Sequence, residues 1–74
     1  MTPIWYVSDE TGAYSRSQDT VVSRIREYCG RAVFAGGPPD FEKLAGAVKP
    51  VPEPELRAWF FSAMRRLRGM PWKA

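Results

Sequence analysis

The stretch PELRAWFFSAMRRLRG, residues 54–69, decides how the last third of the chain folds. Pro54 suits the first turn of a helix, and Gly69 suits the position just after its last turn. At about 100° per residue, the apolar side chains between them fall mainly on one arc. That arc contains Leu56, Trp59, Phe60, Ala63, Met64 and Leu67. The sequence therefore predicts a basic amphipathic helix near residues 55–68.

Phe61 falls outside this apolar arc, among the arginine side chains of the same helix. An aromatic ring beside guanidinium groups is typical of contact surfaces, because the ring supplies apolar area while arginine supplies charge and planar hydrogen bonding. Two other interpretations are a lone exposed ring and a helix that is buried on two sides. We interpret Phe61 as a partner-binding residue.

The remaining predicted partner-binding residues are aromatic or basic side chains at both ends of the chain. Trp72 follows the predicted helix, and it either folds back on the core or provides a second exposed anchor. The full set of predicted binding residues is Trp5, Tyr14, Arg57, Phe61, Arg65, Arg68 and Trp72.

Three alternating prolines precede the helix in KPVPEPE, residues 49–55. Because proline has a fixed φ and no N–H, we expect a semi-rigid polyproline II spacer that cannot join a β-ladder. Composition and charge both change at this point, which favours a boundary. The predicted organisation is a small α+β interaction domain over 1–48, a spacer over 49–54, and a basic helix and tail over 55–74.

The N-terminal part shows the signals of a small α+β unit. PIWYV, residues 3–7, is typical of a strand, and Ala13 and Tyr14 are placed to return as a hairpin. A helix is expected near 17–29, followed by a strand near 31–35. The predicted fold is therefore one small sheet covered by a helix, with the C-terminal helix loosely ordered or docked.

Helix termini in this unit are marked by polar side chains and glycine. Ser15 with Gln18 fits a capping box, and Ser17 is a competing N-cap. Gly30 suits the residue after the helix, while Asp40 is placed to cap a short helix of about two turns.

Size and composition favour a binding protein over an enzyme. Seventy-four residues allow one small core but no deep enclosed substrate pocket. The chain has no histidine and one cysteine, Cys29, so the usual zinc sets and histidine-based acid–base chemistry are lacking. We predict no catalytic residues, no metal, no cofactor and no small-molecule substrate.

The positive charge is concentrated at the C-terminal end. The net charge is +3, with −1 over residues 1–48 and +4 over residues 49–74. No apolar run approaches the roughly 20 residues that span a bilayer, and the N-terminus lacks a secretion signal. A basic amphipathic helix also suits a membrane surface, but this one is short and follows a folded unit. We predict a cytoplasmic protein without a membrane partner.

Two functions fit these features. The first is an interaction module in which the α+β unit, residues 1–48, binds a host protein, while the helix 55–68 makes secondary contacts or stays loosely ordered in the free state. The second is a nucleic-acid-binding protein in which Arg57, Arg65 and Arg68 contact phosphates while Phe61 stacks on a base.

The opening MTPIWYVSDETGAYSRS, residues 1–17, and the proline-separated basic end resemble the small RNA polymerase-binding regulators of lytic bacteriophages. The resemblance implies a non-enzymatic regulator whose folded N-terminal part docks on bacterial RNA polymerase in the host cytoplasm. It further implies that the regulator displaces or blocks the promoter-specificity factor, which inhibits initiation, and later helps elongation to pass terminators.

Overall fold

A computed structural model describes residues 1–31 and 39–66. The described elements are β1 (Ile4–Val7), β2 (Tyr14–Ser15), α1 (Gln18–Arg31), α2 (Phe41–Gly46), β3 (Lys49–Pro52) and α3 (Glu53–Arg66). The three strands form one antiparallel sheet in the order β2-β1-β3. The predicted α+β class, with a small sheet and a C-terminal helix, is confirmed.

The hairpin between β1 and β2 forms where the sequence predicts it. Ser8 donates its N–H to the Ala13 carbonyl at 2.9 Å and accepts the N–H of Gly12 at 2.8 Å. Gly12 has a φ of 80°, which glycine adopts without steric cost. The buried hydroxyl of Ser8 also accepts the N–H of Thr11 at 3.3 Å. The turn therefore satisfies its buried polar groups locally.

The predicted proline spacer is wrong, because residues 49–52 are a strand. β3 pairs with β1 along its whole length, from Ile4 opposite Pro52 to Val7 opposite Lys49. The sheet thus includes residues on both sides of the predicted boundary at residue 48.

The spacing of the prolines explains how such a segment pairs. Glu53 donates its N–H to the Pro3 carbonyl at 2.9 Å. Because strand N–H groups alternate in direction, the N–H of Val51 also points toward β1, while the nitrogens of Pro50 and Pro52 face the open edge. Proline every second residue is compatible with an edge strand, and it also blocks that edge against further strands.

Helix α1 begins at the second of the two predicted caps. The Ser17 hydroxyl accepts the N–H of Thr20 at 3.3 Å. The helix continues through Gly30 to Arg31, so the prediction that Gly30 follows the last turn is wrong. Arg31, the first residue of the predicted strand 31–35, is helical, and the rest of that strand lies outside the described residues.

Helix α2 begins as predicted. The Asp40 carboxylate accepts the N–H of Lys43 at 3.2 Å. The guanidinium of Arg26 in α1 lies 4.5 Å from the ring centroid of Phe41, which joins the two helices.

The buried core draws on β1, α1, β3 and α3. Among the described residues, its buried apolar members are Val7, Val21, Ile25, Tyr28, Val51 and Ala63. Helix α1 contributes three of the six and α3 contributes one, which places the centre of the core on the α1 side. No helix within residues 1–31 and 39–66 is both long and apolar enough to cross a membrane.

Candidate interaction surface

Tyr14 connects the sheet to helix α3. Its register partner is Val7, and side chains alternate along a strand, so Tyr14 lies on the same sheet face as Trp5. The Tyr14 ring centroid is 6.1 Å from that of Trp5, 5.9 Å from Trp59 and 5.6 Å from Phe60. These tilted and edge-to-face contacts are favourable aromatic geometries.

Phe61 extends the aromatic cluster to the protein surface. Its ring centroid lies 6.1 Å from that of Phe60, and 59% of the residue is exposed. Tyr14 is 39% exposed. We call the surface formed by Trp5, Tyr14, Trp59, Phe60 and Phe61 the aromatic face. Because Phe61 is exposed yet touches this cluster, it is neither an isolated ring nor buried on a second side of the helix.

A shallow groove of about 490 Å³ lies on the aromatic face. Its apolar walls come from both the hairpin and α3, while one acidic and one basic side chain lie at its sides. The lining residues are Tyr14, Glu53, Leu56, Arg57, Phe60 and Phe61. A groove with apolar walls and few charged groups is suited to receiving a side chain of a partner.

Arginine side chains border the aromatic face. Arg57, Phe61 and Arg65 recur every four residues and therefore form one row on α3. Both of these arginines are exposed. Just after β2, the guanidinium of Arg16 lies 5.9 Å from the Trp5 ring centroid. The surface thus combines aromatic area with guanidinium groups, as the sequence predicts.

Asp9, just after β1, fixes α3 to the sheet. Its carboxylate accepts the indole N–H of Trp59 at 2.6 Å and pairs with Lys49 at 2.8 Å and Arg66 at 3.6 Å. Burial acts to raise the pKa of Asp9, but the hydrogen bonds from Lys49 and Trp59 and the charges of Lys49 and Arg66 outweigh it. The pKa of Asp9 therefore lies below its ordinary value. We call Asp9, Lys49, Trp59 and Arg66 the Asp9 clasp.

A second polar contact holds the beginning of α3. The indole N–H of Trp5 donates to the Glu53 carboxylate at 3.1 Å. Together with the Asp9 clasp, this contact links both ends of α3 to the sheet, so the groove is formed before any partner arrives.

The structure brings four of the predicted binding residues together. Trp5, Tyr14 and Phe61 belong to the aromatic face, and Arg57 lines its groove. Arg65 continues the row of Arg57 on α3. The other two predicted residues, Arg68 and Trp72, lie outside the described residues.

Asp9, Glu53 and Phe60 are parts of the site that sequence reasoning missed. Asp9 lies in a turn-prone segment, SDETG, residues 8–12, and its partner Trp59 lies 50 positions away. Phe60 belongs to the predicted apolar stripe, yet it is only half-buried and lines the groove. A carboxylate that follows a strand and a tryptophan in an amphipathic helix are the local signals, but neither identifies the pairing.

Cys29 is a free, half-buried thiol on α1. Within residues 1–31 and 39–66, no three or more histidine, cysteine, aspartate or glutamate side chains are grouped so as to hold a metal ion.

No family model, curated protein or solved structure matches this chain. The aromatic face and its surroundings are therefore the structural basis for proposing that the chain binds a partner.

Proposed function

We propose that the chain is a non-enzymatic interaction module that binds a host protein machine and modulates it. The observation that carries the proposal is the exposed aromatic face, in which Phe61 lies between Arg57 and Arg65 above a groove. Bacterial RNA polymerase is the proposed target, and this choice comes from the resemblance of residues 1–17 and the basic end.

The groove supplies the apolar part of binding. Phe61 and the groove walls would lose water on contact, and aromatic anchors of this kind dominate the energy of many interfaces. Because α3 is fixed by the Asp9 clasp, little conformational entropy is lost when the partner binds.

The arginines supply charge and orientation. Arg57 and Arg65 are exposed and able to form charge-assisted hydrogen bonds with carboxylates of the partner. They also speed association with an acidic surface, an effect that weakens as the salt concentration rises. A module this small modulates a large machine by occupying a surface, which in RNA polymerase would be one that the promoter-specificity factor needs.

Binding to purified bacterial RNA polymerase tests the proposal. We expect Phe61→Ala to raise the Kd by about 30-fold or more, because loss of an anchor costs at least about 2 kcal/mol. Ser62→Ala is the matched control, since Ser62 is exposed on the same helix and does not line the groove. The wild-type chain should also reduce promoter-dependent initiation and increase terminator read-through. Absence of binding at chain concentrations up to about 1 μM would contradict the proposal.

Nucleic acid is the alternative partner, favoured by the row of Arg57, Phe61 and Arg65. Affinity for single strands should then fall steeply with salt, and Phe61→Ala should cost about 1–3 kcal/mol. The exposed carboxylates of Glu53 and Glu55 at the beginning of α3 oppose a polyanion. A gel-shift assay without any salt-sensitive shift would exclude this alternative.

A further inference from the structure

We propose that the aromatic face also binds a second copy of this chain, so that two α3 helices pack antiparallel and each Phe61 enters the groove of the other copy. This inference goes beyond binding to a host protein, because here the occupant of the groove is the chain itself.

The α3 wall of the groove has the form of a hole for one side chain. Four of its lining residues, Glu53, Leu56, Arg57 and Phe60, are spaced i, i+3, i+4 and i+7 on α3. This spacing encloses the four-sided hole into which a neighbouring helix inserts a side chain. Phe61, 59% exposed on the same helix, is a knob of suitable chemistry. One helix thus carries both the knob and the hole.

The positions of the charges favour the antiparallel orientation. When a two-fold axis crosses this row of α3 midway between Arg57 and Phe61, Phe61 of each copy lies opposite Arg57 of the other, and Glu53 lies opposite Arg65. The first pair places a guanidinium beside an aromatic ring, and the second is an ion pair. A parallel arrangement would instead place Glu53 beside Glu53 and Arg65 beside Arg65. The charge pattern of α3 is therefore self-complementary only when the two helices are antiparallel.

The same four residues lie along one ridge of the helix. Glu53, Arg57, Phe61 and Arg65 recur every four positions. A symmetric dimer of this kind uses the same patch on both copies.

The small size of the surface predicts a weak dimer. Helix α3 has 14 described residues, and one such helix face falls short of the roughly 1,600 Å² that a standard stable interface buries. We expect a Kd between about 10 μM and 1 mM. Since Phe61 of the second copy fills the groove, the dimer and a complex that uses the groove exclude each other.

Sedimentation velocity of the full chain from about 10 μM to 1 mM tests the inference. The wild-type chain should pass from monomer to dimer, and Phe61→Ala should weaken association by about tenfold or more. Ser62→Ala should associate like the wild type. A wild-type chain that stays monomeric at the highest concentration, or a Phe61→Ala variant that dimerises normally, would overturn the inference.

A charge exchange tests the orientation of the helices. Arg65→Glu and Glu53→Arg should each impair self-association, because each places like charges at the Glu53–Arg65 contact. An equal mixture of the two variants should form a heterodimer, because one copy then carries two acidic positions and the other two basic ones. Circular dichroism checks that both variants are folded. In a parallel arrangement, like charges face each other in the wild type and in both single variants. Single variants that self-associate like the wild type, or a mixture that fails to associate, would therefore overturn the antiparallel arrangement.

Two further binding measurements distinguish nucleic acid and RNA polymerase from a second copy as occupants of the groove. A monomeric wild-type chain that binds an oligothymidylate probe through Phe61 would assign the groove to nucleic acid and overturn the dimer. RNA polymerase binding is measured below 1 μM, where the expected dimer is dissociated. A chain that fails to self-associate can therefore still bind RNA polymerase, so failure of the dimer and failure of the proposed function are separate outcomes.

Discussion

The two long helices of this small fold use their apolar side chains differently. Helix α1 buries Val21, Ile25 and Tyr28. Helix α3 has the same described length but buries only Ala63, and its rings are half-buried or exposed. The difference indicates that α1 holds the fold together, whereas α3 is fixed by polar contacts of Glu53, Trp59 and Arg66 and leaves apolar area at the surface.

The largest effect on stability is expected in α1. Ile25→Ala should lower the free energy of unfolding by about 3 kcal/mol, because Ile25 is fully buried and its truncation leaves a cavity. Urea denaturation measures this change. Ile25→Val, at about 1 kcal/mol, provides a graded variant if the alanine variant is unfolded. Exposed Arg24→Ala on the same helix is the control and should change stability by less than about 0.5 kcal/mol. Equal losses for Ile25→Ala and Arg24→Ala would contradict the assignment of the core.

A smaller loss is expected when the Asp9 clasp is broken. Asp9→Asn removes the charge that pairs with Lys49 and Arg66, and we expect a loss of about 1 kcal/mol, since the side chain is 35% exposed. Amide hydrogen exchange should quicken in α3 more than in α1. The control is Glu10→Gln, a neighbouring exposed carboxylate. Amide exchange that quickens equally in both helices would show that Asp9 does not act on α3 specifically.

The Asp9 clasp also predicts how the stability difference between wild type and Asp9→Asn depends on pH. The pKa of Asp9 is lowered from its ordinary value of 3.8 in the folded chain. A lowered pKa contributes stability that is present above pH 3.8 and is lost as the pH falls through the folded-state pKa. The stability difference between wild type and Asp9→Asn should therefore be constant near neutral pH and shrink below about pH 4. A difference that grows on acidification would be inconsistent with this carboxylate as the stabilising group.

The smallest stability change is expected at the contact between Trp5 and Glu53. Trp5→Phe keeps an aromatic ring beside Tyr14 but removes the indole N–H that donates to Glu53. Because this hydrogen bond is exposed, we expect a loss of about 0.5 kcal/mol, measured by urea denaturation with Glu55→Gln as the control. A loss as large as that of Ile25→Ala would show that Trp5 belongs to the core.

Local signals predicted most of the helices and the hairpin. Asp40 caps its helix, Ser17 begins α1, and Tyr14 returns as a strand, because each depends on neighbours a few residues away. Phe61 is exposed, as its position on the helix predicts.

The features that sequence reasoning missed depend on distant residues. The same alternation of Pro50 and Pro52 fits a polyproline spacer and an edge strand, and only pairing with β1 decides between them. The Asp9–Trp59 and Trp5–Glu53 contacts join residues 50 and 48 positions apart. Such pairings follow from strand register, which one sequence does not reveal.

Hydrogen–deuterium exchange of the chain, free and bound to bacterial RNA polymerase, tests the contrast between the two helices most directly. We predict that binding slows exchange in α3 and the adjoining hairpin strand β2, while α1 exchanges as it does in the free chain. Slowed exchange confined to α1, with α3 unchanged, would contradict the assignment of α3 as the helix that presents the binding surface.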